Sequence, residues 1–245
     1  MPNIALTAEL RQRYAPVAKS EIRSEARSIT ESLGRTGLDL QRTVAQLKLA
    51  SPTVNTLIAN PKQNLALLFI DITNFSSVTS NLTAIQITAL LDQYYSDVLP
   101  IIYQHDGEVE KVMGDGIVAV FGPPFTKGVK HNWLNKAESC ASDIVFKRMH
   151  VQSGSVKVAL HFGELMYYQN KNVSTPEFYA IGKPMTELFR LESESINNYI
   201  SFFTGSDYHM HRRAGLSCLT SYWVEKSPRS VDLKGVSYRQ VSDLY

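Results

Sequence analysis

Glu108-Val109-Glu110-Lys111-Val112 and Ile117-Val118-Ala119-Val120-Phe121 flank the tetrapeptide Met113-Gly114-Asp115-Gly116. Two short strand-like runs about a glycine-bracketed aspartate read as a β-hairpin, with Gly114 and Gly116 expected to supply positive φ. Upstream, Leu65-Ala66-Leu67-Leu68-Phe69-Ile70 is an unbroken apolar run of strand length, and it ends at Asp71. Between run and hairpin, Ile87, Leu90, Leu91, Tyr94, Tyr95, Val98, Leu99 and Ile102 recur at helical spacing, with Gly107 beyond the end. Pro100 is expected to bend that helix or thin its last turn. Downstream come a helix near residues 133–149 and strands at Val156 to Phe162 and Phe178 to Ile181. A further helix opens at Pro184 and runs to about Ile196. The order βαββαβ predicts an α+β fold with a ferredoxin-like core and extra elements toward the C-terminus.

In that topology the third strand lies antiparallel beside the first, so Asp71 and Asp115 are expected to be spatial neighbours. Two carboxylates at one sheet edge repel unless a cation lies between them. Hard divalent cations with oxygen ligands, Mg²⁺ or Mn²⁺, suit such a pair together with substrate phosphates. The loop Ile72-Thr73-Asn74-Phe75-Ser76 leads into a helix whose backbone N–H groups are candidates to hold phosphate oxygens. Taken singly, Asp71 also reads as a helix cap and Asp115 as a turn residue.

The chain of 245 residues and 27.5 kDa suits one medium domain with an appendage. A hydrophobic content of 44% excludes a disordered or collagen-like chain, and a net charge of +2 gives no bulk attraction to nucleic acid or anionic membrane. The longest apolar run is far short of the roughly 20 residues that a spanning helix needs. Met1-Pro2-Asn3-Ile4 has no basic flank or apolar core of a signal peptide, so the expected location is cytoplasmic. Cys140 and Cys218 lie in apolar-patterned segments and read as core residues rather than a disulfide. Residues 1–60 carry eight Lys and Arg against five Asp and Glu, with a helical rhythm at Leu38, Leu40, Val44, Leu47 and Leu49. Gly34 and Gly37 divide them into two expected helices that pack on the main domain or on a partner copy. The expected division is therefore a helical segment over 1–60 and a main domain over 61–245.

Five segments, in order, resemble class III nucleotidyl cyclase catalytic domains. They are Phe69 to Ser76, Glu110 to Gly122, Val158 to Glu164, Ile181 to Glu192 and Val231 to Val236. The resemblance implies that Asp71 and Asp115, with the backbone carbonyl of Ile72, hold two metal ions per site. It implies attack of a ribose 3′-hydroxyl on the α-phosphate of a nucleoside triphosphate, with pyrophosphate expelled. Two cations that activate the attacking oxygen and shield the leaving group agree with that chemistry.

The resemblance also makes Arg190 the transition-state arginine, four residues after Thr186 and on the same helix face. A surface arginine, or a partner of Glu187 or Glu194, is the plainer reading. Thr186 stands where the family usually has the asparagine that orients the ribose. Lys234 matches a triphosphate contact in some members and reads equally as a solvated lysine. Phe69, Thr73, Asn74 and Phe75 complete the expected substrate-binding set. The family's paired arrangement implies a homodimer with two sites at its interface, and neither nucleic acid nor membrane is expected as a partner.

Lys111 matches the base-contacting lysine of adenylate-forming members, and Ala180 stands where an Asp or Thr was expected. A site lacking one purine-edge contact discriminates poorly. The short chain, the helical lead-in and this non-purine base set together look like the bacterial Pycsar-type pyrimidine cyclases, and large apolar neighbours such as Phe69 or Met113 are expected to fill the space that a purine ring needs. Cyclic UMP or cyclic CMP, as an antiphage signal, is the expected product. The alternatives are an adenylate cyclase with a divergent base pocket and an inactive cyclase-homology module that binds nucleotide. His209 and His211 are expected at the surface, and the resemblance makes His161 structural. Tyr167-Tyr168 and Phe178-Tyr179 are expected in strands of a dimer arm or core. Lys127, Lys130, Arg212 and Arg213 read as solvated faces.

Overall fold

A computed structural model describes residues 10, 13, 14, 52–151, 154–169, 178–219 and 222–245. Its central strand, β1 (Lys62–Ile72), contains the apolar run and is buried on both faces. β2 (Glu108–Met113) and β3 (Gly116–Phe121) form the expected hairpin, and β3 lies antiparallel to β1. On the other side of β1 runs β4 (Val156–Gln169), longer than expected, with β5 (Phe178–Ile181) folded back on its far end. β6 (Ile200–Phe203), β7 (Arg229–Ser230) and β8 (Gln240–Leu244) extend the sheet to the order β2-β3-β1-β4-β6-β8-β7. The first four strands have the ferredoxin-like arrangement, so the α+β expectation holds.

Alternation along β1 divides the core. Ala66, Leu68, Ile70 and Ile72 face the helices α3 (Ala84–Gln104) and α4 (Lys130–Arg148). Leu65, Leu67 and Phe69 face α5 (Lys183–Glu194) through Met185, Leu188 and Leu191. Truncating one such leucine to alanine costs about 2–5 kcal/mol, because the surrounding layers close the cavity only in part. A short α1 (Pro52–Ala59) adds Leu57 to the α5 side, and α2 (Phe75–Thr79) and α6 (Asp207–Arg213) complete the helices described. Leu10 is buried against the α3 side, and Tyr14 stacks on Tyr103 with ring centroids 6.4 Å apart. The periodic leucines Leu38 to Leu49, with Gly34 and Gly37, lie outside the described residues.

Pro100 sits inside α3, which runs on to Gln104. Several local expectations are corrected. The left-handed residue after that helix is Asp106, at φ 63°, while Gly107 is needed for space: a Cβ there would lie 2.7 Å from the Phe121 ring. In the hairpin only Gly114 takes positive φ, at 65°; Gly116 instead makes room for Phe69. Both cysteines are free, but Cys218 is exposed, since its segment is a surface loop rather than a packed element. His209 and His211 are buried rather than on the surface, the former accepting from the Gly205 N–H at 2.9 Å and the latter meeting Asn135 at 2.8 Å. Arg212 is not a solvated cation, because it pairs at 2.9 Å with the fully buried Glu138. The α5 helix stops at Glu194, with the Ser195 N–H bonded to the Glu192 carbonyl.

Candidate active site

The end of β1 and the β2–β3 turn meet at one point of the sheet edge. Asp71 stands opposite Gly116, and the N–H of Ile72 donates to the Asp115 carbonyl at 3.4 Å. Gly116 is the close neighbour that permits this: a Cβ there would sit 2.7 Å from the Phe69 ring and 3.4 Å from Asp71 Oδ1. Burial pushes the Asp71 carboxyl up to about 6, the negative charge of Asp115 adds to this, and Lys157 opposes it. A half-buried carboxylate raised by a second carboxylate is a position that a divalent cation would stabilise. Asp71 and Asp115 carry oxygen donors of the kind that a hard divalent cation takes.

Asp71 has one cationic neighbour that the sequence reading missed. Lys157, directly opposite on β4, places Nζ 3.3 Å from Asp71 Oδ2 and 2.5 Å from Glu192 Oε1 on α5. Burial works against its charge, yet Glu192 and Asp71 together hold the ammonium above its usual range. The signal was present as a lysine within an apolar strand, but only cross-strand register reveals its partner.

The loop after Asp71 is less open to phosphate than expected. The Thr73 N–H donates to the Ser155 carbonyl at 2.9 Å, and its hydroxyl donates to Asn197 at 2.8 Å. Asn74 caps α2 in the left-handed region, φ 54° and ψ 34°, and α2 has only five residues. Phe75 packs against the core instead of standing free in the loop.

The family model "Adenylate and Guanylate cyclase catalytic domain" matches residues 57–204, more than half of the chain. The chain belongs to this family. Sequence relatives of the cyclase domain include guanylate cyclase 2G of Mus musculus, 21% identical over 183 residues, covering 66% of this chain and 16% of that protein. An uncharacterized protein of Mycobacterium tuberculosis is 24% identical over 127 residues, covering 51% of this chain and 23% of that protein. The chain thus spans about a quarter or less of the length of these curated relatives. Among solved structures, the guanylate cyclase domain of RhGC from Catenaria anguillulae, in complex with GTP, superposes with a TM-score of 0.62. It is 20% identical and covers 75% of this chain and 97% of that one. The adenylyl cyclase CyaB of P. aeruginosa gives a TM-score of 0.60 at 20% identity, over 75% and 94% of the two chains. At these identities the structural likeness establishes the fold. Divalent metal ions are general in domains of this class. No described helix is long and apolar enough to cross a membrane.

Within the cyclase domain the remaining candidates fall into separate groups. Lys111 projects its ammonium over the Phe189 ring at 5.7 Å, and Phe189 meets Phe69 edge-on at 5.1 Å. Ala180 is fully buried, and its N–H donates at 3.0 Å to Glu110, a buried carboxyl next to Lys111. Burial raises Glu110 to about 7 against the opposing bond from Ala180. Thr186 and Arg190 are exposed on α5. Glu187 pairs with His161 and Lys183, and Glu194 pairs with Arg229, so neither acid is a partner of Arg190. Arg190 makes no ion pair among the described residues. Lys234 is exposed in the connection between β7 and β8. Tyr167 and Phe178 are buried in paired strands, while Tyr168 is exposed.

Proposed function

We propose that the protein is a metal-dependent nucleotidyl cyclase that converts a nucleoside triphosphate to a 3′,5′-cyclic nucleotide and pyrophosphate. The observation that carries this is the meeting of Asp71 and Asp115 at one edge of a cyclase-family sheet. Two divalent cations, Mg²⁺ or Mn²⁺, bound by Asp71, Asp115 and the Ile72 carbonyl, would activate the 3′-hydroxyl and shield phosphate charge. Gly116 and the Ile72 N–H bond to the Asp115 carbonyl hold the two carboxylates in register. Arg190, without an ion pair among the described residues, is a guanidinium suited to charge that builds on the α-phosphate. Thr186, one helical turn before it, offers a hydroxyl to the ribose.

The helix geometry supports a site shared between two copies. Arg190 and Glu192 are two residues apart, about 200° around a helix. Glu192 faces Lys157 and, through it, Asp71, so Arg190 is turned away from the Asp71 of its own chain. A homodimer would bring Arg190 of one copy to the aspartates of the other, twice, about a two-fold axis. Asp71→Ala and Arg190→Ala chains, each inactive alone, should regain turnover when mixed. Continued inactivity after verified subunit exchange would refute the shared site, and full activity of Asp71→Ala with Mn²⁺ would refute the metal assignment.

We further propose a pyrimidine substrate, UTP or CTP, with the product acting as an antiphage signal inside the cell. Lys111 is donor-only and suits a base carbonyl, and the buried Ala180 offers no polar side chain to a purine edge. Phe69 and Phe189 fill volume beside Lys111. A purine cyclase is the second reading, favoured by the adenylyl and guanylyl cyclases among the structural relatives. Equal concentrations of all four ribonucleoside triphosphates with Mn²⁺, products resolved by mass, separate the two. Dominant cyclic AMP or cyclic GMP would overturn the pyrimidine reading and leave the cyclase intact. No pyrophosphate from any triphosphate would leave a binding module.

A further inference from the structure

Two consecutive tyrosines on α3 each reach the residue that precedes one of the two site aspartates. The Tyr94 hydroxyl donates to the carbonyl of Ile70 at 3.1 Å, immediately before Asp71. The Tyr95 hydroxyl donates to the carbonyl of Gly114, immediately before Asp115. Neighbouring residues on a helix point about 100° apart, so one helix can serve two strands in this way and no single side chain could. The peptide unit is planar, so holding the Ile70 carbonyl orients the backbone that enters Asp71. Gly114 matters more, because its φ of 65° belongs to a turn that glycine leaves loosely determined.

The tyrosines are themselves held. Tyr94 is fully buried, with the Arg148 guanidinium 5.6 Å from its ring centroid, and Arg148 pairs with Asp97 one turn along α3 at 2.6 Å. Tyr95 is half-buried and packs against Tyr94 with ring centroids 5.5 Å apart. At the N-terminus of α3, Thr83 and Gln86 form a reciprocal cap. The helix therefore carries both hydroxyls as one unit.

We propose that Tyr94 and Tyr95 are positioning residues that set the relation between the two aspartates and so tune cation affinity. This rests on reading Asp71 and Asp115 as the cation-binding pair. Neither tyrosine contacts substrate in this proposal; each acts through the peptide that bears an aspartate. Removing a hydroxyl should loosen the donor set without removing a donor.

The test uses the full chain as wild type, Tyr94→Phe, Tyr95→Phe and Asp71→Ala. Mn²⁺ binding is read by electron paramagnetic resonance with the 3′-deoxy analogue of whichever triphosphate the wild type turns over fastest. Each Tyr→Phe variant should bind Mn²⁺ roughly tenfold more weakly, with the nucleotide KM at saturating Mn²⁺ within about twofold of wild type. Turnover should recover as Mn²⁺ is raised, which a merely misfolded variant would not show. Melting curves report folding; if Tyr94→Phe is unfolded, the half-buried Tyr95→Phe decides. Unchanged Mn²⁺ affinity in a folded Tyr95→Phe protein, with binding lost in Asp71→Ala, overturns the positioning role and leaves the cyclase reading standing. Wild-type Mn²⁺ affinity in Asp71→Ala overturns both.

Discussion

Lys157 stands directly across the sheet from Asp71, with its ammonium 3.3 Å from the carboxylate and 2.5 Å from Glu192. A cation thus already lies beside the half-buried acid in the folded chain. It offsets the burial and the repulsion from Asp115 only in part, since Asp71 is still raised to about 6.

The sign of that shift predicts a pH-dependent stability. An acid raised from 3.8 to about 6 by folding favours the folded state below the lower value, and that contribution is gone above the higher one. In metal-free buffer, Asp71→Asn should therefore melt higher than wild type at pH 8. The advantage should shrink as pH falls from about 6 toward 4. Scanning fluorimetry across pH 4–8 with a chelator checks this, and a constant difference would contradict it.

Glu110 gives a second, separable profile. Its carboxyl is raised from 4.5 to about 7 by burial, and it accepts from the Ala180 N–H. Its favourable contribution is complete below 4.5 and lost by about pH 7, at up to roughly 1.4 kcal/mol per pH unit between. Glu110→Gln keeps an acceptor for Ala180 and cannot ionise. Urea unfolding should show the variant gaining on wild type from pH 5 to 7 and holding level above.

Arg148 is buried to 1% exposure and joins Asp97, the Gly154 carbonyl and the Tyr94 ring. Arg148→Met should cost about 3–5 kcal/mol, because it strips the largely buried Asp97 of its close guanidinium and leaves the longer Lys147 pair at 3.7 Å. Pairing it with Asp97→Leu should recover part of the loss, which chemical denaturation of the two variants would measure.

Gly116→Ala should damage the site more than the fold. The added methyl would lie 2.7 Å from the Phe69 ring, which Phe189 backs edge-on, and 3.4 Å from Asp71 Oδ1. Such overpacking costs about 1–3 kcal/mol. Turnover should fall and its Mn²⁺ requirement should rise, while the far-ultraviolet spectrum stays that of wild type.

The unbroken apolar run from Leu65 to Ile70, the glycine-bracketed turn at Asp115 and Pro184 at a helix start are legible because each is local chemistry. Hydrophobic period sets strand or helix, glycine permits the turn, and proline suits a first turn. From these, the order βαββαβ brings Asp71 beside Asp115, because the third strand returns antiparallel along the first. Residues whose roles depend on register across strands stayed hidden. Lys157 finds its partner only where β4 aligns it with Asp71, and Tyr94 and Tyr95, which mark the helical period of α3, find their carbonyl partners only in the folded chain. The burial of His209, His211 and Arg212 differs from expectation because it depends on which partners the folded chain brings to each polar side chain. Gly205, Asn135 and Glu138 supply those partners. Sequence period therefore determined the elements and the meeting of the two acids, since both follow from the chain's own local geometry. Only the tertiary structure decided which cation, hydroxyl and backbone groups hold those acids. Those contacts join residues tens of positions apart that share no local pattern.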